Sequence, residues 1–364
     1  MANGIAVAVV VLALVFAGAY VLVLHPMTQY GNTTATQLPL LPTTTSQPVS
    51  GGSGSTSSTN TTTITTTTFE PSNQSNQSLY YYALSLINKD RQQYGLSNVT
   101  LSSESSGQQH AQSMLGNNYF SHWDIYGLKP YMRYTLLGGT GAVSENIAYQ
   151  SSSECVLSVC SGTIEPKTAL EGMEYSMMYN DSACCNNGHR DNILNPDHTQ
   201  VSIGIAYNSS TIYFVEDFID SYINWTKSTP SYSGTNGELR LSGNLQNGAS
   251  FSDIEVTYDP IVSVMSRAQL DNTTDYSYGK SVAGVVKSSR YYYQGLDTIV
   301  ANDWSVQGGN IDISFGLKNL TEQYGAGEYT AIVWLNDSKG NSFVGSSYTL
   351  FLSQNGTQMP QGSI

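Results

Sequence analysis

Residues 5–24 (IAVAVVVLALVFAGAYVLVL) carry no charged side chain. As a helix rising about 1.5 Å per residue, they would span the roughly 30 Å hydrocarbon core of a bilayer. The adjoining segment cannot build a core either: residues 28–78 are mostly Thr, Ser, Gln, Asn, Pro and Gly, and Glu70 is the sole charged residue before Lys89. Such a composition buries too little apolar surface to offset the entropy of ordering. The expectation is a transmembrane anchor over 1–27 and a disordered Thr/Ser/Asn-rich stalk over 28–78. Ala17-Gly18-Ala19 resembles a signal-peptide cleavage site, but the apolar run continues to Leu24 and no basic residue precedes it, which favours a retained anchor.

Over the 364 residues, only 11% are charged, and 27 acidic against 14 basic residues give a net charge of −13. A phosphate backbone would be repelled, and no basic run offsets this, so nucleic acid is excluded as a partner. Twelve Asn-X-Ser/Thr sequons occur, beginning with Asn32 and ending with Asn355. Composition alone gives roughly six. The excess points to a glycosylated protein of the cell membrane, single-pass, with stalk and folded domains outside.

Helical periodicity starts at Leu79, with Ala83, Leu86 and Ile87 on one face before Gly95, and a second helix is expected around Ser103 to Asn117. Four blocks then occur in order: YFSHWDIYGLKPYMR, SENIA, GHRDNILNPDHTQVSIGIAY and YFVEDF. With Asn88 and Arg91 of INKDR, they resemble a CAP domain of the bacterial or archaeal type, in the superfamily of cysteine-rich secretory, antigen 5 and pathogenesis-related proteins. The resemblance covers about residues 79–220. Ser144 stands where the family usually has Gly, a change that touches a tight turn more than the chemistry.

The resemblance implies an α-β-α sandwich whose cleft holds two His and two acidic residues. Carried over residue by residue, these are His122, Glu145 and His189, with Asp181 as the fourth; Glu174, two helical turns earlier, is the competitor for that place. Two imidazoles and two carboxylates around a wet cleft suit a divalent ion such as zinc, with His122 and His189 as ligands and Glu145 and Asp181 reaching it through water. A hydrogen-bonded cluster without an ion is the alternative. If the site were hydrolytic, Glu145 would be the general base. No Gly-X-Ser-X-Gly, His-Glu-X-X-His or reactive-Cys context accompanies it. His110 and His198 read as surface or structural residues.

Cys155, Cys160, Cys184 and Cys185 flank a helix expected over 165–180 and, outside the cell, should be oxidised. All three pairings are open, a four-Cys zinc site being the alternative. After Asp220 the pattern changes: 223–236 has the composition of a linker, and 237–354 alternates with period two, as in Ile311-Asp312-Ile313-Ser314-Phe315. About seven strands suit an Ig-like β-sandwich, with 355–364 a tail. The chain is thus expected to be α+β, with a CAP head over 79–222 able to fold alone. The expected function is binding of a small lipid-like or cell-envelope ligand at a divalent-ion cleft. A metal-dependent hydrolase of peptide or envelope polymer and a non-catalytic adhesion protein are the rivals.

Overall fold

The computed structural model describes residues 73–359, apart from 152–154, 157–158, 161–162, 235–236, 274 and 293. The expected anchor at 5–24 and nearly all of the stalk lie outside the described residues. No helix among the described residues is long and apolar enough to cross a membrane.

The head begins with α1 (Asn73–Gln93), closed by Gly95 at φ 73°, a left-handed position that suits Gly. Then come β1 (Thr100–Leu101), α2 (Ser106–Asn117), α3 (Pro130–Leu136) and β2 (Ala142–Ser151). The short strands β3 (Cys155–Val156) and β4 (Val159–Cys160) form a hairpin before α4 (Pro166–Tyr179). Pro166 occupies the first turn of α4, and the Glu165 carboxylate accepts the N–H groups of Lys167 and Thr168, which fixes where the helix starts. The turns α5 (Ser182–Cys185) and α6 (Gly188–Ile193) lead to β5 (Gln200–Tyr207) and β6 (Thr211–Asp220).

These strands make one sheet in the order β1-β5-β6-β2, antiparallel except for the β1–β5 pair. Alternation along β6 sends Phe214 and Phe218 into a core with Ala83 and Ile87 of α1 and Leu170 and Met177 of α4. Tyr213 and Val215 face the other way, onto Ala111 and Met114 of α2. The result is the three-layered α-β-α sandwich expected. The α2 backbone lies directly on β5, because Gly107 and Gly204 have no side chains; a Cβ on Gly204 would overlap the Gly107 carbonyl. Arg91, the family-pattern residue of α1, is fully buried and donates to the carbonyls of Ser97, Ile193 and Asn195, stapling α1 to the end of α6.

Residues 223–236 do not make a free linker. They carry β7 (Ile223–Trp225) and β8 (Ser231–Ser233), and both pair with β9 (Glu238–Leu245). Next are β10 (Ser250–Pro260), α7 (Arg267–Leu270), β11 (Lys280–Val286), β12 (Asp297–Val300), β13 (Asp303–Gln307), β14 (Asn310–Gly316) and α8 (Lys318–Tyr324). The long strands β15 (Gly327–Asn336) and β16 (Ser342–Leu352) end the module. Two sheets, β12-β11-β10-β15-β16 and β13-β14-β9-β7, share one core that includes Leu239, Ile313, Phe315, Val256 and Val333. The sandwich is as expected but has ten strands among the described residues in place of about seven, including a parallel β11–β12 pair. The expected tail is partly anchored, since Met359 packs on the core and the Gly356 carbonyl accepts the Tyr232 hydroxyl.

The second face of the five-stranded sheet is covered by the head. Ile332, Trp334, Val344 and Phe351 share a core with Leu128, Tyr131 and Met132. Nearby, Lys129 and Tyr131 of the head both bond the Asp259 carboxylate, at 2.6 and 2.8 Å. Head and module therefore form one packed body across a shared apolar seam.

Candidate functional site

Strand β2 is the outer edge of the head sheet, and a cleft of about 1000 Å³ runs along it. Its floor is the continuous run Glu145 to Gln150. One wall is α4, through Met173, Ser176 and Met177; the other is Phe120 to His122. The end wall is Asp181 to His189. Asp271, Thr273 and Asp275, from the segment after α7, also line it, so the C-terminal module supplies part of the cleft. All four residues expected from the sequence, His122, Glu145, Asp181 and His189, line this one cavity.

They are organised as two pairs. His122 Nδ1 lies 3.2 Å from Glu145 Oε1, and His189 Nδ1 lies 2.6 Å from Asp181 Oδ1. In each pair a carboxylate facing Nδ1 favours the Nδ1–H tautomer and leaves a lone pair on Nε2. Among the described residues, no group pairs with either Nε2. The carboxylates therefore contact the imidazoles directly.

Glu145 is buried beneath His122 and receives Arg133 Nη2 at 2.5 Å on its second oxygen. Across the β2–β6 ladder it directly opposes Asp217. Burial pushes the Glu145 carboxyl well above its ordinary range, Arg133 opposes this, and Asp217 adds to the rise. Asp217 is raised as well, by burial against the pull of Arg133. One guanidinium thus acts on two buried carboxyls at once. His110, also buried, contacts the Ser121 carbonyl at 3.1 Å and lies 4.0 Å from Glu145, so it braces the site from below. Burial lowers the His122 pKa well below 6.5, reinforced by His189, His110 and Arg133, and the ring is neutral at physiological pH.

Burial acts upward on Asp181, but the His189 hydrogen bond and charge, with the N–H groups of His189 and Arg190, outweigh it and hold the carboxyl below its ordinary value. Glu174, the competitor, is not in the cleft. It is buried beneath α4 against Glu216, and burial followed by that neighbour raises it well above its usual range. Glu216 accepts Asn146 Nδ2 at 3.1 Å, and the same amide donates to the His189 carbonyl. His198 is structural: its Nδ1 meets Asp220 Oδ1 at 2.6 Å and its ring stacks on Phe218. Of the cysteines, Cys184 and Cys185 are joined to each other and line the cleft. The backbones of Cys155 and Cys160 face one another in the β3–β4 hairpin.

Arg133, Asp217, Glu216 and the module's Asp271 to Asp275 segment are the parts that sequence reasoning missed. The adjacent acids Glu216-Asp217 inside the apolar strand TIYFVEDFID were a usable signal, because alternation must bury one on each face of the sheet.

Residues 84–218 match the family model of the cysteine-rich secretory protein family, CAP, and the chain contains a CAP domain over that span. Among solved structures, one similar chain is an extracellular protein containing an SCP domain from Bacillus anthracis str. Ames. The identity is 22% over 40% of this chain and 41% of that one, with a TM-score of 0.30. No curated protein matches.

Proposed function

We propose that this is a membrane-anchored extracellular CAP-domain protein that binds a small lipid-like or cell-envelope molecule in a cleft containing a divalent ion. The observation that carries the reading is the pair of carboxylate-backed imidazoles, His122 and His189, lining one cavity with both Nε2 atoms unpaired. Those nitrogens would hold an ion such as zinc, which would supply a Lewis-acidic contact for a polar ligand group. Phe120, Tyr149, Met173 and Met177 offer an apolar wall for the remainder of the ligand.

Glu145 is better suited to orienting His122 than to acting as a hydrolytic base, because its oxygens are committed to His122 and Arg133. Binding is therefore preferred over turnover. The outward location is supported by the sequons: of the eight from Asn98 to Asn355, Asn98, Asn180, Asn208, Asn224, Asn272, Asn319 and Asn355 are exposed. The anchor itself rests on the apolar run at 5–24.

The test uses a fluorescent fatty acid as probe with the full chain. Tyr149 is half exposed, so Tyr149→Asp should leave the fold intact, weaken the probe at least tenfold and spare zinc binding. Equal probe affinity in the variant and the wild type would contradict the lipid-like ligand.

A further inference from the structure

The end wall of the cleft contains a donor cluster that the two imidazole pairs do not account for. The chain leaves α4, makes the single turn α5 and then passes through Asn186 and Asn187, at φ 50° and 65°. Asn adopts this left-handed conformation more readily than most residues, and two in succession reverse the chain sharply. That reversal brings His189 back over Asp181 and the Cys184–Cys185 pair. One donor atom from each of Asp181, Cys184, Cys185 and His189 lies within 4.8 Å of the others.

Two sulfurs, one imidazole nitrogen and one carboxylate oxygen form a donor set for a soft or borderline ion. Donor atoms around a tetrahedral zinc are ~3.6 Å apart, so this cluster needs to contract by only about 1 Å. Cys184 is exposed and both cysteines line the cleft, which gives a reductant and an ion a route in. While the sulfurs are bonded to each other they carry no thiolate charge and cannot serve as ligands of this kind.

We propose that Asp181, Cys184, Cys185 and His189 form a redox-gated site for a soft divalent ion such as cadmium or zinc, closed by the Cys184–Cys185 disulfide and opened by its reduction. A dithiol reductant supplies two electrons and two protons: the S–S bond breaks, two thiols form, and the reductant leaves as its own disulfide. The entering ion then displaces both thiol protons, giving two thiolates beside the Asp181 carboxylate. The proposal shares His189 and its partner Asp181 with the ion site proposed for His122 and His189, but does not depend on that ion. Reduction would draw His189 into the sulfur site, so the redox state selects which ligand set uses that ring.

The test is a Cd²⁺ titration of the full chain, reduced with dithiothreitol and desalted without oxygen, monitored through the near-ultraviolet thiolate-to-cadmium charge-transfer band. The band should appear in the reduced wild type, saturate at one ion per chain, and be absent from the oxidised protein. It should persist in Cys155→Ser/Cys160→Ser and in His122→Ala, weaken at least tenfold in His189→Ala, and vanish in Cys184→Ser/Cys185→Ser. Persistence in that last variant would assign the sulfur ligands elsewhere and overturn the proposal. So would absence of the band in the reduced wild type, or a Cys184–Cys185 bond that withstands dithiothreitol in the folded chain.

Discussion

Asp181 caps and orients at once: its Oδ1 lies 2.6 Å from His189 Nδ1 while its Oδ2 accepts the backbone N–H groups of His189 and Arg190, at 2.8 and 3.2 Å. A carboxylate can accept all three hydrogen bonds, whereas an amide has one acceptor oxygen. Asp181→Asn should therefore reduce zinc affinity by about 10- to 100-fold, as losses of imidazole-orienting carboxylates do. It should also cost about 1 kcal/mol of stability through the weakened cap. Calorimetric titration and thermal unfolding measure the two effects separately.

Removing either end of the Arg133–Glu145 pair should have unequal effects. Arg133→Met strands two buried carboxyls, Glu145 and Asp217, and should destabilise the protein by about 3–5 kcal/mol. Glu145→Gln leaves Arg133 beside Asp217 and should cost distinctly less. Urea unfolding of both variants decides this, and a Glu145→Gln loss equal to that of Arg133→Met would contradict the shared-guanidinium account.

The helices were legible from their periodicity, and His122, Glu145 and His189 from the short motif blocks they sit in; Asp181 lies outside those blocks and had Glu174 as a competitor. The three layers were implied by the resemblance to CAP domains. The supporting charges were not legible: the β2–β6 register sets Asp217 opposite Glu145, and Arg133 reaches the same carboxylate from α3. The head–module seam was equally hidden, although Tyr329 to Leu335 (YTAIVWL) gives a clue in hindsight. A strand buried on one face alternates, while one covered on both reads as nearly continuous apolar sequence. That run marked a sheet with a second cover, and the cover is the head.

The seam makes a prediction opposite to the independence expected from the sequence. A chain ending at residue 222 would expose Leu128, Tyr131 and Met132, which in the full protein pack near Trp334 and Phe351. It should melt at a lower temperature than the full chain and bind a hydrophobic dye. In the full chain, Trp334→Ala should cost about 3–5 kcal/mol. A shortened head with the full chain's melting temperature would show that the seam contributes little.

Glu174 gives a pH signature. Its folded pKa is raised well above 4.5, first by burial and then by Glu216, so above about pH 4.5 the unfolded chain releases a proton that the native state keeps. Stability from this group is therefore lost as pH rises, by up to ~1.4 kcal/mol per unit until the folded pKa is reached. Glu174→Gln retains a donor toward Glu216 without the titration. The variant should gain on the wild type as pH increases from about 5 to about 8 in thermal unfolding; a difference independent of pH would contradict the raised Glu174 pKa.

The central claim is that His122 and His189 together hold a divalent ion through their Nε2 atoms, and calorimetric titration of the oxidised full chain with Zn²⁺ tests it most directly. With Cys184–Cys185 intact, the sulfur site is silent and the imidazole pair is left to respond. The account predicts one ion per chain, with affinity reduced at least tenfold in His122→Ala and in His189→Ala and no further loss when the two are combined. Equal affinity in the wild type and the double variant would contradict it, and would leave the four residues as a hydrogen-bonded brace of the cleft.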